Sequence, residues 1–299
     1  MGRSLGVLGV PTSAGAFAPG QEWAPAALRD AGLLDGLRAL GADVHDHGDR
    51  EVWRWRPDRD HPRAQNVPKI VEIVRDTAER VRVAAAAGEI TVVLGGDCTV
   101  GIGTVAGWVG AGERVGLVYF DAHADLNVPS SVGEGALDWM GMAHMLAQPE
   151  AVPELAAAFP HTPLLEPADV LLFGWDPGQA TDFEREVIAR RGISRVPVAE
   201  VAADPEGAGA RAAAAVGERC DRLLVHFDVD VIDFTDVPLS ENTGRNEGLA
   251  YTDAMRALDA LLASPKLAGL TITELNPDHT ETPDALRDFA AAVAASLAR

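Results

Sequence analysis

The chain has 299 residues, 47% of them hydrophobic, and its 45 acidic against 25 basic side chains leave a formal charge of −20. This length and apolar content suit one large α/β domain spanning residues 1–299, and the negative charge excludes nucleic acid and membrane surfaces as partners by repelling phosphates and anionic head groups. No stretch approaches the ~18 apolar residues of a spanning helix, no signal-like segment opens the chain, and two cysteines are too few for a disulfide framework, so a cytoplasmic, reducing location is expected.

In chain order, the hydrophobic pattern predicts a strand over 5–10, a helix over 24–40 and a strand over 43–47. An irregular excursion rich in Trp, Arg, Asp and Pro follows over 51–66, then a helix over 68–87, a strand over 91–94 and a helix over 100–107. The pattern continues with a strand over 116–120, a helix over 141–147, a strand over 170–173, a helix over 182–191, a strand over 194–198 and a helix over 208–219. A strand over 223–227, a helix over 252–263, a strand over 270–274 and a helix over 282–297 close the chain. Short Val/Ile/Leu runs alternating with Ala-rich helical stretches specify a central, mostly parallel sheet of about eight strands, covered by helices on both faces.

Two of those strands end in acidic clusters. The string Tyr119-Phe120-Asp121-Ala122-His123-Ala124-Asp125-Leu126-Asn127 follows one apolar run, and Phe227-Asp228-Val229-Asp230 follows another. Ligands of open parallel sheets bind beyond the carboxyl ends of strands, which is where both clusters fall. Asp228 and Asp230, spaced by two, point to one side if the strand continues through them. Carboxylates with one imidazole suit Mn²⁺, and less exclusively Zn²⁺, Fe²⁺ or Co²⁺, and two ions roughly 3.5 to 4 Å apart can share carboxylates and hold a hydroxide. Either cluster alone fits a solvated loop or a helix cap; both together, each after a buried strand, favour a two-metal hydrolase. A dinucleotide-binding reading rests on Gly101-Ile102-Gly103-Thr104-Val105-Ala106, but that fingerprint needs its first glycine at the strand end, and Gly95-Gly96-Asp97-Cys98-Thr99-Val100 intervenes. Those glycines are better read as permitting close helix packing.

Gly95-Gly96-Asp97-Cys98, the Asp121 to Asp125 string, Asp228-Val229-Asp230-Val231-Ile232-Asp233 and Glu274-Leu275-Asn276-Pro277 occur in an order and spacing that resembles the arginase/agmatinase (ureohydrolase) family. The resemblance covers nearly the whole chain, including Gly9-Val10-Pro11 after the first strand. It implies a three-layer α/β/α fold, a dinuclear Mn²⁺ centre, and hydrolysis of a small guanidino compound to urea and an amine by a trimer or hexamer. By position, Asp121 and Asp228 would bridge the ions, His123 and Asp230 would complete one site, and Cys98 and Asp125 the other. Asp125 would also hydrogen-bond the bridging hydroxide that attacks the guanidinium carbon, and Glu274 would hold the guanidinium. Asn127 and Asp176 match positions that contact the amino-acid end of the substrate in arginases.

Three departures bear on substrate and metal. Cys98 stands where the family usually has His, and its softer thiolate favours Zn²⁺ or Fe²⁺ relative to Mn²⁺; a few family members acting on N-hydroxyguanidino substrates look similar here. Trp139 or Met140 stands where arginases place a proton-shuttling His, and neither titrates near pH 7. His144, about a helical turn away, is the nearest titratable replacement and the candidate catalytic acid. A hydroxylamine-type leaving nitrogen would need less protonation. Gln179 replaces a Glu that helps recognise the α-amino group of arginine. The segments 127–138 and 239–248, including Glu241 and Arg245, are expected to shape specificity. The alternative from another class is a non-catalytic protein that retains metal or guanidinium binding.

Overall fold

The computed structural model describes residues 2–280 and 282–299. Its eight strands are β1 (Ser4–Gly9), β2 (Asp43–Asp49), β3 (Ile90–Leu94), β4 (Val115–Phe120), β5 (Val170–Trp175), β6 (Ser194–Pro197), β7 (Arg222–Asp228) and β8 (Leu267–Thr273). They form one sheet in the order β2-β1-β3-β8-β7-β4-β5-β6, and every pairing is parallel. The predicted three-layer α/β/α class and the strand count are therefore observed. β4, β5 and β8 are buried along their whole length and read as unbroken apolar runs, whereas the edge strand β2, of sequence DVHDHGD, is largely exposed.

The helices are α1 (Ala24–Asp30), α2 (Leu33–Ala39), α3 (Val67–Ala86), α4 (Val100–Gly110), α5 (Gly141–Met145), α6 (Pro153–Ala156), α7 (Asp182–Arg191), α8 (Val198–Ala203), α9 (Pro205–Gly217), α10 (Tyr251–Leu262) and α11 (Pro283–Leu297). Two apolar clusters cover the two faces of the sheet. One contains Leu28, Leu37, Val201, Ala212, Leu258 and Phe289, from α1, α2 and α8 to α11; the other contains Ile70, Val105, Met142, Leu155 and Val187, from α3 to α7. Strand residues alternate between them, Phe120 and Phe227 in the first, Tyr119 and Leu224 in the second.

The helix expected over 24–40 is two helices, because Gly32 sits in the left-handed region at φ 88° and redirects the chain before α2. The short α6 and α8, of four and six residues, escaped the pattern because neither completes two turns of amphipathic period. The 51–66 excursion carries no regular element beyond a bridge from Trp53 to Thr12. In α4 the glycines serve packing: a Cβ on Gly103 would lie 2.7 Å from Thr77 Cβ and one on Gly107 2.6 Å from Val81 Cβ, both on α3. These glycines are thus taken up by close helix contact, the packing role expected of them. Among the described residues no helix is long and apolar enough to cross a membrane.

Candidate metal centre

The four central strands deliver the site in sheet order. Cys98 follows β3, Glu274 follows β8, Asp228 ends β7 and Asp121 follows β4. Each loop is held by local chemistry. After β3 the chain runs so close to Thr12 that a Cβ on Gly96 would lie 1.6 Å from its carbonyl oxygen, and Asp97 N–H donates to that oxygen at 3.1 Å. Asp121 Oδ1 accepts from His123 N at 2.6 Å and Asp228 Oδ1 accepts from Asp230 N at 2.7 Å, two matching Asx turns. Asp125 and Glu274 adopt positive φ of 48° and 61°, a backbone cost that surroundings must impose and that concentrates at functional sites.

Two groups of donor atoms converge within 4.8 Å of one another: Cys98, Asp121, His226 and Asp228 in one, Asp121, His123 and Asp230 in the other. Five of the six residues expected as ligands are thus assembled, with Asp121 common to both groups. Asp125 is buried beside the site and lines the same cavity, outside both groups, and its Oδ2 accepts from Tyr119 Oη at 2.5 Å. Asp228 falls in the first group, where its Oδ2 accepts from Cys98 Sγ at 2.8 Å.

The first group also contains His226, which the sequence motifs do not single out. It lies two residues before Asp228 on β7, hence on the same face, and its ring stacks on Tyr119 at 4.2 Å between centroids. Strand periodicity applied backwards from Asp228 would have found it.

Electrostatics shows why these groups need a counter-charge. Burial, then Asp230, pushes the Asp121 carboxyl up to about 7. Burial with neighbouring carboxylates drives Asp125 and Asp228 well above the usual range, and burial with Asp228 raises the Cys98 thiol. Burial pulls His123 down, but Asp230 at 3.0 Å and Asp121 outweigh it and hold the imidazole well above its ordinary value. Asp121 Oδ2 and Asp230 Oδ1 are buried with no hydrogen-bond partner. Orphaned anionic oxygens beside a thiol and an imidazole fit divalent cations.

The donors sit at one side of a cavity of about 330 Å³ lined also by Phe17, Asn127, Trp139, Gln179, Glu241 and Glu274; among the described residues no Lys or Arg lines it. Glu274 accepts from Cys98 N at 3.0 Å and from Gln21 Nε2 at 2.9 Å. Asn127 lines the cavity with its Oδ1 held by Ser131 and Thr181, both at 2.9 Å. Asp176 lies outside the lining and instead holds Gln179 at 3.1 Å, whose Oε1 meets His123 Nε2 at 3.1 Å. Of the specificity segments, Glu241 and Asn242 reach the cavity, while Arg245 lies over the Phe234 ring, 5.3 Å from its centroid.

His144 is a correction. It is buried away from the cavity, its Nδ1 donates to Met140 O at 2.6 Å, and its Nε2 accepts from Val152 N at 3.1 Å. Burial lowers it to about 4. Both nitrogens being consumed, it pins α5 and cannot serve a substrate as an acid. Met140 is fully buried and Trp139 lines the cavity, packed 6.4 Å from Phe17.

Comparison with known proteins agrees with this geometry. The model of the Arginase family matches residues 3–299. Human arginase-1 is 28% identical over 99% of this chain and 92% of its own length, and Bacillus caldovelox arginase is 28% identical over 99% and 96%. The solved structure of the latter superposes with a TM-score of 0.87 at 25% identity over 99% of both chains. Formimidoylglutamase from Bacillus subtilis shares the fold, with a TM-score of 0.78 at 16% identity over 99% of this chain and 86% of that one. The chain belongs to the Arginase family. It is accordingly a ureohydrolase-type hydrolase whose central strands carry a candidate metal-binding cluster.

Proposed function

We propose that the chain is a metal-dependent hydrolase that cleaves a C–N bond of a guanidino or N-hydroxyguanidino compound, giving urea or hydroxyurea and an amine. The observation that carries this reading is the convergence of Cys98, Asp121, His123, Asp228 and Asp230, with two orphaned carboxylate oxygens, beside a cavity whose charged lining is almost wholly acidic. Such a lining selects a cation. Bound divalent ions would act as Lewis acids and make water nucleophilic at neutral pH. Cys98, Asp121, His123, Asp228 and Asp230 would hold them, Mn²⁺ being favoured by the carboxylates and Zn²⁺ or Fe²⁺ by the thiolate.

The chain's other groups have separable tasks. Glu274, already steadied by Cys98 N and Gln21, keeps lone pairs for the guanidinium N–H groups. Asp125 is oriented through Oδ2 by Tyr119, which leaves Oδ1 to accept the proton of the attacking water and pass it to the leaving nitrogen. With His144 employed elsewhere, Asp125 is the proton carrier that remains beside the donors, and a leaving nitrogen of low basicity suits it. Asn127 offers its amide N–H groups to the far end of the substrate, and Gln179, held by Asp176, shapes the rim. A cytoplasmic homotrimer or homohexamer is the assembly the family resemblance supports.

The test is metal content per chain after separate reconstitution with Mn²⁺, Zn²⁺ and Fe²⁺, followed by a urea and hydroxyurea release screen. Two ions per chain with product from at least one compound is the expected result. Retained guanidinium binding with no product under any metal would establish a non-catalytic binding protein instead.

A further inference from the structure

His226 has no role in the reading above, yet it is buried against the sulfur of Cys98. Its Nε2 lies 3.4 Å from Cys98 Sγ and 3.1 Å from Thr273 Oγ1, while Thr273 Oγ1 lies 3.3 Å from the same sulfur. Its Nδ1 is buried with no hydrogen-bond partner. Tyr119 stacks on the ring at an interplanar angle of 10°, and the lack of a side chain at Gly101 makes room for it, since a Cβ there would lie 2.8 Å from Nδ1.

These contacts decide the tautomer. A neutral imidazole carries one N–H, and a buried N–H without an acceptor costs about 1–3 kcal/mol, so the proton belongs on Nε2, where two acceptors wait. Nε2 is then a donor and has no lone pair for a cation. Although its distance to the other donors would admit ligation, an imidazole that ligates a metal donates its second N–H to a carboxylate, carbonyl or water. No protein acceptor stands at Nδ1 to receive it.

We propose that His226 is a positioning residue of the metal centre: as the Nε2–H tautomer it donates a hydrogen bond to the sulfur of Cys98 and holds that sulfur toward the cation shared with Asp121 and Asp228. The inference rests on the metal-binding part of the proposed function. The Cys98 thiol donates to Asp228 Oδ2 at 2.8 Å. Cys98 and Asp228 would hold a cation only with that proton given up to solvent, and the sulfur would then be an anion in need of a donor. His226 and Thr273 supply one each. A bare thiolate would add a full charge to a centre already crowded with carboxylates, and the imidazole disperses it.

The first experiment is nitrogen NMR of zinc-loaded protein labelled with ¹⁵N-histidine, the His226 ring being assigned by its loss in His226→Gln. A protonated Nε2 with a bare Nδ1 is the expected pattern. A metal-bound Nε2 with a protonated Nδ1 overturns the proposal in favour of direct ligation, and leaves the metal reading intact. Failure of the parent chain to bind zinc overturns both. The second experiment is cobalt substitution. His226→Leu should move the thiolate-to-cobalt charge-transfer band to lower energy and weaken cobalt binding by about 10-fold or more, and His226→Gln, which keeps an N–H donor, should restore much of both. An unmoved band in His226→Leu overturns the hydrogen bond.

Discussion

Asp121 and Asp228 are built alike on neighbouring strands: Phe120 pairs with Phe227 in register, and each aspartate that follows spends Oδ1 on the backbone N–H two residues onward. Both Oδ2 atoms are thereby turned toward the same space. Asp121 Oδ2 is left without a partner, and Asp228 Oδ2 is met by the Cys98 thiol.

Loss of the shared carboxylate should therefore be worse than loss of a terminal one. Asp121→Asn keeps the turn-capping oxygen but removes the charge common to both donor groups. The expected outcome is fewer than two ions per chain and a fall in turnover of about 100-fold or more, read by elemental analysis and product release. Two ions with parental turnover in Asp121→Asn would refute a role for Asp121 in pairing the metals.

Metal removal should make stability pH-dependent in a defined direction. The Asp121 carboxyl stands at about 7 in the fold against 3.8 ordinarily, and Asp125 and Asp228 are raised as well. Groups raised in the folded state contribute stability that is complete below their unfolded values and lost as pH climbs through the folded ones. The apo chain should thus lose thermal stability between about pH 4 and 7, and a saturating divalent cation should reverse the loss by binding only the native state. Calorimetric scans with and without chelator across that window check it.

His144 works with the opposite sign. Its folded value of about 4 lies below the ordinary 6.5, so the unfolded chain takes up the proton first and stability falls as pH drops from 6.5 toward 4. The full effect is about 3 kcal/mol for a wholly buried ring. His144→Gln, which can still accept from Val152 N–H, should flatten this part of the profile by a comparable amount in denaturant titrations at pH 4.5 and 7.

Replacing Cys98 by His is not a free exchange in this fold. The sulfur is 3.4 Å from His226 Nε2, and the His226 ring is itself enclosed, stacked on Tyr119 with 2% of its residue surface exposed. Cys98→His should lower thermal stability through overpacking, by about 1–3 kcal/mol, without a gain in Mn²⁺ binding. Cys98→His with His226→Ala should recover stability and shift preference from Zn²⁺ toward Mn²⁺. Equal losses in the single and double variants would show that the two side chains do not compete for space.

The eight strands, the parallel three-layer architecture and most of the donor set are legible in the order of residues, because buried parallel strands are continuous apolar runs and the candidate ligands follow them directly. Asp121, His123, Asp228 and Asp230 are legible as neighbours of such runs. Relations between distant segments emerge only once the chain is folded. His226 meets Cys98 from across 128 positions, Tyr119 takes an oxygen of Asp125, and Gln21 reaches Glu274 over 253 positions. His144 illustrates the reverse: a titratable residue close in sequence is turned inward, because Met140 O and Val152 N satisfy it there. Periodicity reports which face a residue occupies on its own strand or helix; which atoms meet across the sheet depends on strand order and loop path, which local pattern does not encode.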